Sequence, residues 1–163
     1  MTELIRSLIE CLKKETERYR RLEVLAVQQK DLLVAGKVDA LQENIRLEEK
    51  EVFALNPLVG ERSELLSKIA KIEGMKAIDL EGVLKKCPID QIEDFKKAVI
   101  ELIQGAKRLE GINKGNEKLL KSALSYVNFT LKIINDGGRK KSFYPSVAPK
   151  AEENRPSLVN RVV

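Results

Sequence analysis

The chain has no histidine and no tryptophan. Without histidine it lacks the commonest general base and the commonest metal ligand, so Ser-His-Asp triads, HExxH zinc sites and imidazole pH switches are excluded. Cysteine is almost as scarce. Cys11 and Cys87 stand far apart with no C-x-x-C spacing, which argues against a zinc site and for two reduced structural thiols. Three tyrosines, four phenylalanines, nine glycines and five prolines are few for 163 residues. Leu, Ile, Lys and Glu dominate, a composition that favours helix over aromatic-rich strands. The expected fold class is all-α: long antiparallel helices in a coiled-coil-like bundle with a disordered C-terminal tail.

Long apolar runs are missing too. None approaches the ~18 residues of a membrane span, and the opening MTELIRSLIECLKKE carries charges through its apolar stretch, so neither a span nor a secretory signal is expected and the cytoplasm is the expected location. No Gly-rich phosphate loop, nucleophile elbow or metal-ligand spacing is present. The carboxylates sit among lysines at helical spacing, as on solvated faces. The expectation is a non-enzyme with no cofactor and no metal.

The net charge of +5 is uneven. Residues 137–163 hold six Lys/Arg against two Glu, a balance of +4, which leaves about +1 for everything before them. Basicity belongs to the tail, so nucleic-acid binding by the body is not expected, and without a long apolar run neither is stable membrane insertion.

The spacing predicts four helices in a body over 1–136, followed by a flexible basic tail over 137–163. The first, about 2–34, has apolar residues at Met1, Ile5, Leu8, Leu12, Tyr19, Leu22, Ala26 and Leu33, a three-then-four stripe broken by Glu15 and Gln29. Gly36 ends it, and Asp39 with Gln42 three residues on forms a capping pair for the second, about 39–73. That helix carries a stripe from Val38 to Ile69 broken by Glu48 and Arg62, fourteen residues apart, so each needs water or a partner from another helix. Pro57 lies inside it and predicts a kink or an Asn56-capped restart. A short helix over 80–86 opens at Asp79. Asp90 and Glu93 cap the fourth, about 90–135, whose register from Ile92 to Ile134 implies a helix near ~65 Å long.

The fourth stripe is interrupted by Asn113 and Asn116. A polar seam residue fixes register or oligomeric state at a cost in stability. Gly105, Gly111 and Gly115 weigh against a rigid lock, since an interior glycine costs roughly 1 kcal/mol against alanine. The other reading is a surface for a partner's amphipathic helix, with Leu119, Leu120, Val127, Leu131 and Ile134 as anchors and the two asparagine amides meeting polar groups of the guest. It predicts an exposed apolar patch on the free protein.

The run Leu109-x-x-x-Asn113-x-x-Asn116-x-x-Leu119-Leu120, a helix end and a tail tyrosine, together with Glu48-Glu49-Lys50, Arg62 and a two-helix amino-terminal half, resembles the FlgN family of flagellar export chaperones across most of residues 3–145. The resemblance implies a cytoplasmic, all-helical chaperone that holds the carboxy-terminal amphipathic helices of the hook-filament junction proteins FlgK and FlgL for type III secretion. The expected state is a monomer or weak homodimer. It also implies that Tyr144, with Phe143 beside it, contacts the export-gate protein FlhA. Pro145 replaces the glycine that often follows this tyrosine in the family. The competing class is a structural coiled-coil adaptor that dimerises through the long seam and has no secretion role.

Overall fold

The stripes fold as four helices in the order α1 (Thr2–Ala35), α2 (Val38–Ile72), α3 (Leu80–Lys86) and α4 (Ile92–Gly137). The computed structural model describes the backbone of residues 1–137 and the side chains up to Asn135. Among the described residues there is no strand, and the fold is all-α. Packing divides the chain into a unit of residues 1–126 and a second unit beginning at Val127.

The helix ends follow local chemistry. Gly36 adopts φ +65°, the left-handed conformation that glycine reaches without a Cβ penalty, and closes α1 with its N–H on Leu33 O. Gly74 does the same after α2 at φ +68°. Asp79 caps α3 by accepting the Gly82 N–H at 2.7 Å. Two expected caps are displaced. Lys37 is the N-cap residue of α2 without a side-chain cap bond, and Asp39 sits in the first turn, where its charge favours the helix dipole. At the start of α4 the Gln91 carbonyl accepts the Phe95 N–H, while Asp90 lies in the preceding turn. Pro57 falls within one uninterrupted helix, so of the two expected outcomes the Asn56-capped restart does not occur, and Gly137 is still helical rather than the first residue of a tail.

α1 and α2 form an antiparallel hairpin through the short turn at Gly36, and α4 runs beside α1 in the same direction. Arg20 and Arg108 mark that second pairing, bonded to Glu101 and Glu23 respectively. The apolar core lies at the amino-terminal end of α1. There Ile5, Leu8 and Leu12 pack with Ile69 of α2, Val83 of α3 and Phe95 and Leu102 of α4. Each such side chain removed from water contributes about 1.5–3 kcal/mol, so this end holds the unit together. The inward face of α2 is turned slightly from its expected stripe: Asn44, Leu55, Leu65 and Ile69 are buried, whereas Val52 and Val59 are exposed.

Candidate functional site

The polar interruptions of the stripes meet one another. In the hairpin, Arg62 Nη1 lies 2.7 Å from Glu15 Oε2, and Gln29 Nε2 donates to Glu48 Oε2 at 2.9 Å. The breaks in α1 are fourteen residues apart, as are those in α2, and constant antiparallel register therefore brings both pairs together at once. The first layer is closed. Glu15 is wholly buried, with the Cys11 thiol 3.8 Å from its other oxygen and 3.3 Å from the Leu58 carbonyl. Burial raises the Glu15 carboxyl above its ordinary value, and the Arg62 guanidinium opposes that rise. Burial, followed by the nearby Glu15 charge, pushes Cys11 up to about 11, so it is an inert thiol.

The second layer recruits α4. Asn116, only 3% exposed, donates from Nδ2 to Ala26 O at 2.8 Å and to Gln29 Oε1 at 2.9 Å. Both acceptors are oxygens, which fixes the orientation of the amide and leaves Oδ1 buried with no partner among the described residues. The bonds run in one direction: Asn116 to Gln29, Gln29 to Glu48. Burial raises the Glu48 carboxyl, partly offset by the Gln29 amide.

Beyond this layer the fold is open. Leu33, Leu41, Ile45 and Leu120 surround a groove of about 320 Å³ together with Gln29, Glu48, Asn113 and Asn116. On the other flank of Asn116, Val27, Ile112 and Leu119 line a second groove of about 710 Å³ with Lys30, Lys107 and Arg108. Gly111 and Gly115 border it, and a Cβ added to either would meet nothing within 4 Å. These glycines therefore serve no close packing contact; they loosen the helix at this level.

The residues expected at a partner surface fall into three settings. Asn116 is buried, and its amide nitrogen is committed inside the chain, the register-fixing alternative. Asn113 is exposed, and Leu119 is half-buried. Leu120 is 46% exposed in the first unit; in the second, Val127 is 50%, Leu131 51% and Ile134 63% exposed. Phe143 and Tyr144, with the rest of 138–163, lie outside the described residues. Gln29, Leu33, Leu41, Ile45 and Glu48 were not expected at the groove. The signal that could have found them is the matched spacing of the seam breaks.

Among the described residues no cluster of His, Cys, Asp and Glu could hold a metal ion, and no helix is long and apolar enough to cross a membrane. A search of curated proteins and one of solved structures each returned no match. The family described as FlgN protein matches residues 1–147, nearly the whole chain. The chain therefore belongs to the FlgN family, whose members are flagellar export chaperones.

Proposed function

We propose that this chain is a cytoplasmic chaperone for the hook-filament junction proteins FlgK and FlgL, holding their carboxy-terminal amphipathic helices before type III export. The observation that carries this reading is the run of large apolar side chains, Leu120, Leu124, Val127, Leu131 and Ile134, left about half exposed on a helix of a FlgN-family chain. An apolar helix face of that kind is a binding surface or an aggregation hazard. The groove beside Leu120 and the apolar face that starts at Val127 each offer anchors at helical spacing, and Asn113 supplies an exposed amide beside the first. Reversible holding needs modest affinity, and a helix softened at Gly111 and Gly115 spends part of the interaction on becoming ordered.

Delivery belongs to the tail in this reading. Phe143 and Tyr144 form a two-ring anchor in a charged segment and dock on the gate protein FlhA, while Arg139, Lys140 and Lys141 steer the approach. The test is co-purification of FlgK or FlgL with the full chain and with a chain lacking 137–163. Client capture should survive the deletion and FlhA binding should vanish. A tight oligomer that forms without client and captures neither protein would establish the adaptor instead.

A further inference from the structure

The groove walled by Leu33, Leu41, Ile45 and Leu120 has acceptors and apolar walls and no cation among its lining residues. Among the described residues Glu48 receives one donor, the Gln29 amide, and no Lys or Arg is among the residues that line the groove it shares with Leu120. Asn116, which lines the same groove, carries a buried Oδ1 with no donor among the described residues. The remaining carboxylate, Glu117, is held by Lys121 at 2.6 Å on the exposed side. A buried acceptor left unpaired is costly, and the half-buried Glu48 carboxylate lacks a cationic partner in its groove. The closed layer shows how this hairpin meets the same problem, with Arg62 against Glu15.

We propose that the groove beside Asn116 takes one basic side chain, lysine or arginine, set within the apolar face of the guest helix. Its aliphatic stem lies along Leu33, Leu41, Ile45 and Leu120, and its charged head reaches Glu48 and Asn116 Oδ1. The inference rests on the reading of this groove as a client-helix site, and it names what that site selects: an amphipathic helix with a cation where a leucine would otherwise stand. A purely apolar helix leaves both acceptors unpaired and is discriminated against.

The test uses the full chain and 20-residue helical peptides with one leucine-rich face, identical except for lysine, arginine or norleucine at the centre of that face. Fluorescence anisotropy should show the basic peptides binding at least tenfold more tightly than the norleucine peptide. The advantage should fall below twofold in Glu48→Gln, whose fold is checked by circular dichroism, and in Leu120→Lys, which places a resident cation at the groove mouth. Equal binding of norleucine and lysine peptides, or an advantage undiminished in both variants, overturns the inference and leaves the client-helix reading standing. Failure of every peptide and of both client proteins to bind removes the two together.

Discussion

Two of the polar contacts that cross the α1–α2 hairpin, those at Glu15 and Glu48, solve the same problem differently. At Glu15 the buried carboxylate meets an arginine and a thiol within a packed core. At Glu48 the carboxylate meets an amide, which meets a second amide from α4, and the layer opens onto a groove. The first is complete without help. The second ends in an oxygen with no partner among the described residues and is followed along α4 by exposed leucine, valine and isoleucine. The difference separates the end of the body that holds the fold from the end that faces outward.

The largest expected effect comes from breaking the closed layer. Arg62→Met removes the partner of a wholly buried carboxylate, and stranding one member of a buried pair costs about 3–5 kcal/mol. Urea denaturation at neutral pH should show it, and adding Glu15→Leu should recover much of the loss. In the open layer, Asn116→Ala leaves Gln29 Oε1 and Ala26 O without their shared donor, for a loss of about 1–3 kcal/mol by the same measurement. Substitution of Gly111 or Gly115 by alanine sharpens the contrast from the other direction. Each should stabilise the chain by up to about 1 kcal/mol, because the new Cβ meets no neighbour.

A smaller effect lies in pH. Folding raises Glu48 above the ordinary glutamate value of 4.5, so the folded chain binds that proton more tightly than the unfolded one. Its contribution is fully present below the unfolded value and is lost as pH rises through the folded value. Stability curves taken upward from pH 4.5 should therefore fall less in Glu48→Gln than in the native chain.

Much of this was legible in the sequence. Periodicity located the three long helices, Gly36 marked the end of the first and Asp79 the start of the short one, because those signals are local. The caps at Asp39 and Asp90 misled because a capping side chain competes with neighbouring choices that differ little in energy. Pro57 falls at an exposed position on a helix that packs against α1 on both sides of it, so tertiary contacts carried the helix through. The groove was harder to read. Glu15, Gln29, Glu48 and Arg62 were visible as interruptions, yet which faced which depended on the register between helices, and the choice between register-fixing and guest-facing roles for Asn116 needed the acceptors that α1 supplies.

The central claim is that the apolar stripe after Asn116 serves a guest and not the chain's own core. Triple substitution of Leu120, Val127 and Ile134 by aspartate, with stability and FlgK or FlgL binding measured on the same preparation, tests it directly. Exposed sites tolerate such changes within about 0.5 kcal/mol each, so the expected result is a small change in unfolding free energy with client binding abolished. A large loss of stability, or client binding that persists unchanged, would contradict it.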